Sequence, residues 1–329
     1  MPGANVPFPP MEAELVPELP SGAWQYEPKW DGFRGVLEND GDELALWSRN
    51  GRPLLRYFPE LAGLGELLPP HSALDGEIVI ERDGRLDFDA MQLRLHPAES
   101  RIRRLSAETP ATYIVFDVLL WDGEEVWQLP LERRRERVEK LEGFRVSPAT
   151  LEHDLAAEWL ETLEAAGLDG VIAKRLGEPY RPGSREAVAK VKQHKTADCV
   201  VLGVRWKSEG VLATLLLGLW DGDELRYVGT ASVAGKQRAA IEEQVLPLVG
   251  AARGFSEPNR WQSKELAASE VRPELVVEVR YDKWQSGRFR HGTRFLRFRP
   301  DKDPASCTLA EVVPPRGPDD PTVSGLLDG

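Results

Sequence analysis

Glu27-Pro28-Lys29-Trp30-Asp31-Gly32-Phe33-Arg34 is the stretch on which the reading of this chain turns. A lysine follows a strand-forming run and is itself followed by Asp-Gly, a turn signal, and then by an arginine. Lysine is a nucleophile only when neutral. Its free pKa of about 10.4 means that attack near neutral pH needs burial or neighbouring cations to favour the amine, and Arg34 is one such neighbour in sequence. K-x-D-G-x-R alone is short enough to arise by chance, as a strand, a turn and a surface lysine, so the surrounding sequence has to decide.

Working outward, residues 33–49 read as two strands, GVLE and ELALWS, joined by Asn39-Asp40-Gly41-Asp42 and closed by Ser48-Arg49-Asn50-Gly51. A second hairpin is predicted at Arg82-Asp83-Gly84. Helical patterns at 60–68, 131–141 and 155–166 alternate with strands at 111–120 and 170–174, which is a mixed α+β arrangement. The run LERRRERVEKLE reads as a solvated helix with i, i+4 pairs and is given no function. The first ten residues hold four prolines and read as an extended arm, with folding expected to start near Trp24.

From Ala197 the pattern turns strand-rich: CVVLGVRW, ATLLLGLW, LRYVGTAS, one helix over 235–249, then LVVEVRYDKW. Short strands with one helix suit an OB-type barrel. The boundary falls in Gln193-His194-Lys195-Thr196, giving domains 1–195 and 196–329, as the length of 329 residues also predicts.

Composition narrows the function. With 41% apolar and 29% charged residues the chain reads as globular, and its longest apolar run, 211–220, is far short of the ~20 residues of a membrane span. Residues 1–10 lack a secretory n-region and h-region, so a cytoplasmic location and no membrane partner are expected. Cys199 and Cys307 form no C-x-x-C pair and read as small core residues, and five scattered histidines offer no zinc spacing. A net charge of −12 opposes nonspecific adhesion to DNA. Against this, residues 280–302 carry eight cations (Arg280, Lys283, Arg288, Arg290, Arg294, Arg297, Arg299, Lys302) interleaved with Tyr281, Trp284, Phe289, Phe295 and Phe298. That is either a solvated hairpin or a surface for a polyanion.

Further segments stand in order along the chain. Asp75-Gly76-Glu77-Ile78-Val79-Ile80 puts a carboxylate at a strand start, Tyr113-Ile114-Val115-Phe116-Asp117-Val118 and Asp169-Gly170-Val171-Ile172-Ala173-Lys174 follow, and Ala189-Lys190-Val191-Lys192 sets two lysines on one strand face. With KWDGFR and Ser48-Arg49-Asn50-Gly51, these segments resemble motifs I, Ia, III, IIIa, IV and V of the covalent nucleotidyltransferases. Arg297-Phe298-Arg299-Pro300-Asp301-Lys302 is similar to motif VI. Within that superfamily EPKWDGFR, DGVIAKR and RPDKDP look like compact bacterial ATP-dependent DNA ligases, of the LigC type or the ligase domain of LigD-type proteins, over roughly residues 9–304.

The resemblance implies a nucleotidyltransferase domain with ATP-grasp-like antiparallel sheets and helices, then an all-β OB-fold domain. It also implies a reaction: Lys29 takes AMP from ATP, the AMP passes to the 5′-phosphate of nicked double-stranded DNA, and the 3′-hydroxyl displaces it. Glu27 would accept from the adenine amino group, Phe116 would stack on the purine, and Arg34 and Arg49 would face ribose and phosphate oxygens. Lys190 and Lys192 would hold the α-phosphate, and Arg299 and Asp301 the leaving pyrophosphate. Glu77 would lie near the ribose and, with Asp169, hold Mg²⁺ or Mn²⁺. The sequence departs from the family in having Asp169 where motif IV usually begins with glutamate, and Val188 where tryptophan often precedes motif V.

The distance in sequence between motif VI and Lys29 implies a hinge. K-x-D-G also serves RNA ligases and capping enzymes; Glu27, DGVIAKR and RPDKDP favour DNA ligase. A nick-binding protein without catalysis is the reading from another class, and Lys29 with both motif V lysines argues against it. An NAD⁺-dependent ligase would need a zinc-binding Cys cluster. A monomer in the bacterial nucleoid, working beside repair proteins, is expected.

Overall fold

The computed structural model describes residues 1–193, 195–207, 210–257, 264–290, 292–313 and 317–328, with 251–257 and 264–267 described by backbone alone. The chain divides into two compact units, Met1–Gln193 with Gly317–Gly329, and His194–Arg316.

In the first unit the strands are β1 (Glu14–Leu15), β2 (Trp24–Pro28), β3 (Phe33–Asn39), β4 (Leu44–Ser48), β5 (Ser72–Arg82), β6 (Arg85–Leu86), β7 (Ala111–Leu120), β8 (Arg145–Val146), β9 (Gly170–Arg175) and β10 (Val188–Lys192). Helices α1 (Phe88–Arg94), α2 (Glu99–Glu108), α3 (Leu131–Val138) and α4 (His153–Thr162) lie between them. A four-stranded sheet runs β1-β10-β9-β2 and a larger one β4-β3-β5-β7-β8, with β6 on β5. All pairings are antiparallel except β1 with β10 and β7 with β8.

The alternation of each strand decides what the sheets bury. In the small sheet Tyr26, Val171, Ala173 and Ala189 form one core with Ala156 of α4. The opposite face carries Gln25, Glu27, Ile172, Lys174, Lys190 and Lys192, because Glu27 sits opposite Ile172, Ile172 opposite Lys190, and Gln25 opposite Lys174. The large sheet packs Leu37, Leu74, Ile78, Ile80, Tyr113 and Val115 against Phe58, Leu61 and Met91. Its other face, through Val36, Ala73 and Leu119, packs with Val188, Tyr180 and partly Ile172. The polar face of the small sheet is thereby turned toward the large one.

Two Asp-Gly pairs are fixed by close backbone approach. A Cβ on Gly32 would stand 1.9 Å from the Ile78 carbonyl oxygen, and one on Gly170 would stand 2.1 Å from that of Val191.

The second unit contains β11 (Lys195–Trp206), β12 (Leu212–Asp221), β13 (Glu224–Ser232), α5 (Arg238–Val245), β14 (Val249–Glu257), β15 (Lys264–Val271), β16 (Val276–Tyr281), β17 (Trp284–Gln285), β18 (Arg288–Phe289) and β19 (Thr293–Phe298). The order β11-β12-β13-β19-β16 closes on itself through β16 with β11, giving a five-stranded barrel as an OB fold requires. The β14–β15 hairpin extends it from β11. Its core holds Val200, Leu215, Leu217, Val277 and Val279 together with Cys199 and Cys307. Tyr281, Phe289 and Phe295 are buried there, with Trp284 and Phe298 packed against them. These rings are barrel core, not an exposed stacking platform.

The structure corrects three expectations. Folding does not wait for Trp24: Val6 and Met11 are buried, and Glu14–Leu15 pairs with β10. The arm's prolines suit an extended path, and its apolar side chains hold that path against the sheet. The helix at 131–141 is α3, solvated on one side through Arg133–Glu136 and Arg135–Glu139 pairs, but Arg134 is fully buried. Residues 317–328, counted above with the barrel, return to the first unit, where the helix α6 (Val323–Asp328) packs.

Candidate active site

Lys29 lies just beyond β2, where its backbone N–H donates to the Gly170 carbonyl at 2.9 Å. Its Nζ donates to Asp169 Oδ1 at 2.6 Å, and Lys192 Nζ lies 3.1 Å from Asp169 Oδ2. One carboxylate therefore holds two lysines that are 163 positions apart in sequence, between Lys29 and Lys192. Burial pushes the Asp169 carboxyl up, but Lys29 and Lys192 outweigh it and hold it at about 2. Lys190 lies on the same strand face; burial and the charges of Lys29 and Lys192 push its ammonium down. Three lysines around one aspartate leave a surplus of positive charge, which is what a phosphate needs.

Beside this cluster Glu27 is buried. Its Oε1 accepts from Gln25 Nε2 at 2.8 Å and pairs with Lys174 Nζ at 2.8 Å. Lys174 also donates to the Phe116 carbonyl at 2.9 Å, and its Nζ stands 4.9 Å from the Phe116 ring centroid. Phe116 is displayed by a bulge: Asp75 pairs with Asp117 and Gly76 with Val115, so residue 116 has no opposite number. Behind it Arg134 Nε donates to Asp117 Oδ1 at 2.8 Å in a buried ion pair. Sequence reasoning missed Gln25, Lys174 and Arg134. Period-two spacing from Glu27 and Ile172 was the available signal for the first two; nothing in a charged helix marks which arginine is buried.

Arg34 is more constrained than the resemblance implied. Its Nε and Nη2 donate to the fully buried Asp75 at 3.0 and 2.6 Å, Nη1 donates to the Met11 carbonyl, and Nη2 reaches Tyr180 Oη at 3.3 Å. Tyr180 Oη in turn donates to Asp75 Oδ2 at 2.6 Å. Burial works against the guanidinium charge, but Asp75 outweighs it and raises the Arg34 pKa. Arg34 is thus a fixed positive charge 5.4 Å from the Phe116 ring centroid.

Glu77, directly across from Arg34 in the sheet, accepts from the Gly32 N–H at 3.0 Å. Burial pushes its carboxyl up to about 8, against the pull of Arg34 and Lys29. Arg49 is exposed on the turn after β4. The Glu12 carboxyl is held low first by its hydrogen bond to Arg185 and then by smaller pulls from Arg49 and Lys190.

Among the described residues no three His, Cys, Asp or Glu side chains gather as a metal cage. Magnesium commonly takes only one or two carboxylates and completes its shell with phosphates and water. Glu77 suits that role, since its burial leaves the anionic form short of positive charge.

In the second unit Arg299 donates to Asp301 through Nε at 2.9 Å and to Asp198 Oδ2 through Nη1 at 2.8 Å. Lys302 Nζ lies 2.7 Å from the same Asp198 oxygen and 2.8 Å from Glu311. The hydrogen bonds from Arg299 hold the Asp301 carboxyl at about 2. The structure brings Glu27, Lys29, Arg34, Glu77, Phe116, Asp169, Lys190 and Lys192 onto the facing sheets of the first unit, and places Arg299 and Asp301 on the second.

Comparison with known proteins agrees with this division. Residues 10–192 match the family model of the ATP dependent DNA ligase domain, and 208–302 that of the ATP dependent DNA ligase C terminal region. The chain is 43% identical over 330 aligned positions to DNA ligase C1 of Mycolicibacterium smegmatis, covering 94% of each. It is 32% identical to the multifunctional non-homologous end joining protein LigD of Pseudomonas aeruginosa, over 93% of this chain and 37% of that one. A solved Lig E DNA ligase shares the fold, with a TM-score of 0.53 and 18% identity over 88% of this chain and all of that one. The chain belongs to the ATP-dependent DNA ligases, enzymes that use ATP to seal nicks in DNA. Among the described residues no helix is long and apolar enough to cross a membrane.

Proposed function

We propose that Lys29 is the adenylylated residue. Its Nζ attacks the α-phosphorus of ATP, an N–P bond forms, and the P–O bond to pyrophosphate breaks. The Lys29 proton passes to solvent rather than staying on Asp169. Asp169 instead orients the amine, and an incoming phosphate takes over the pairing of Lys192. Lys190 and Lys192 then face charge that grows in the transition state. Glu27, with Oε1 already occupied by Gln25 and Lys174, has Oε2 to offer the adenine amino group, and Phe116 supplies the stacking ring. Glu77 and Asp169 would hold Mg²⁺ or Mn²⁺, which neutralises phosphate charge. Arg49 serves phosphate oxygens, and Arg299 and Asp301 the departing pyrophosphate.

In the later steps a 5′-phosphate oxygen of nicked duplex DNA attacks the same phosphorus and frees Lys29. The 3′-hydroxyl then attacks the 5′-phosphorus and AMP leaves. Nick repair in the bacterial nucleoid by a monomer, beside repair proteins, is the setting this chemistry fits, and the exposed Arg290, Arg294 and Arg297 are its backbone contacts.

The observation that carries the reading is the shared grip of Asp169 on Lys29 and Lys192. The test is a pulse with α-labelled ATP and Mg²⁺ followed by a chase with nicked duplex. Label should enter the protein and leave with the DNA; label that never enters the protein contradicts it.

A further inference from the structure

Residues 317–328 lie beyond both family matches, the second of which ends at 302, yet they pack on the first unit. Val323 is 1% exposed and joins Trp30, Val79, Ile114, Leu163 and Leu168 in one apolar cluster, with Leu326 and Leu327 partly buried against it. Polar contacts fix the segment at three points. The Val323 N–H donates to the Gly84 carbonyl at 3.1 Å, Ser324 Oγ donates to Glu81 Oε2 at 2.7 Å, and Asp328 pairs with Arg145.

Trp30 is the residue next to Lys29. It is held from one direction by Ser147, whose Oγ accepts from Trp30 Nε1 at 2.9 Å, and from the other by the cluster that Val323 completes. Lys29 and Trp30 are neighbours in the chain, so a Trp30 fixed in the core constrains the backbone that carries Lys29. Two strands share the connection: Val79 lies two residues from Glu77 on β5, and Ile114 sits opposite Glu77 on β7.

We infer that the C-terminal segment positions the nucleophile, with Val323 acting through Trp30 to hold Lys29 Nζ at Asp169. This rests on Lys29 being the adenylylated residue. Val323 is buried among apolar side chains, so its role is that of a positioning residue. Its removal should affect the step in which Lys29 must be aimed and spare the last step, in which a DNA 3′-hydroxyl is the nucleophile.

The test uses the full chain carrying Val323→Asp, which places a charge in the apolar slot, and Val323→Ile, which keeps it filled. Self-labelling by ATP at saturating concentration should fall about ten- to a hundredfold in Val323→Asp, with KM for ATP little changed. Sealing of a nick that already carries AMP should stay within about twofold. Val323→Ile should label at the parent rate, and a peptide of residues 317–329 should restore labelling to Val323→Asp. If Val323→Asp does not fold, Val323→Ala carries the same comparison. Unchanged labelling, or an equal fall in labelling and in sealing of pre-adenylated nicks, overturns the inference. Failure of the unaltered chain to label is a separate result that overturns the role of Lys29, and this inference with it.

Discussion

Each unit holds an aspartate that gathers two cations, Asp169 partly buried and Asp198 buried, and the two clusters differ in their charge. Asp169 offers one oxygen to Lys29 and the other to Lys192, with Lys190 close by. Asp198 takes Arg299 and Lys302 on a single oxygen, while Asp301 and Glu311 supply further carboxylates to the same two cations. The first cluster is rich in cations and has positive charge to spend on an incoming phosphate. The second is rich in anions and closed on itself, so an outside anion must displace Asp301 or Glu311 to reach Arg299 or Lys302. Similar residues thus give a site poised for a ligand in one unit and a site that must open in the other.

The comparison can be broken by substitution. The largest loss is expected for Glu77→Ala, which removes the half-buried carboxylate next to the lysine cluster; adenylylation should fall about a thousandfold, measured as the single-turnover rate with labelled ATP. A smaller effect, about tenfold, is expected for Arg299→Ala with Asp301→Ala, whose proposed role is on the leaving group alone. Sealing of pre-adenylated nicks by that double variant should be largely spared, and unchanged ATP labelling would remove both residues from the reaction. Asp169→Glu should cost least, within about tenfold, because it keeps the carboxylate and adds one methylene of reach. Inactivation by Asp169→Glu would mean that the 2.6 Å contact to Lys29 is built around the shorter side chain.

How much of this was legible in the sequence follows from how local each determinant is. Lys29, Asp169, Lys190 and Lys192 stood in short segments whose order carried the resemblance, and Asp31-Gly32 was visible as a turn signal before its backbone contact was known. The strand at 111–120 was read at its observed bounds, but the bulge that displays Phe116 was not, because a bulge is a property of two paired strands and Gly76 lies far away in sequence. Helices α1 and α2 went unread, as did the β14–β15 hairpin. Arg134 looked like its neighbours on a charged helix; only packing against Asp117 distinguishes it. The proline-rich arm was read from composition and residues 317–328 went to the barrel by position alone, whereas what fixes both is apolar packing on the first unit. Asp198 had no signal at all, since a lone aspartate within a strand says nothing about two cations a hundred residues on.

The most direct measurement is the site of AMP attachment. After incubation with ATP and Mg²⁺, the protein is digested under conditions that preserve the N–P bond and its peptides are mapped by mass spectrometry, with Lys29→Ala as the paired sample. The account predicts one AMP adduct, on the peptide containing Lys29, and none in the variant. An adduct on Lys174, Lys190 or Lys192, or one that persists in Lys29→Ala, would contradict it.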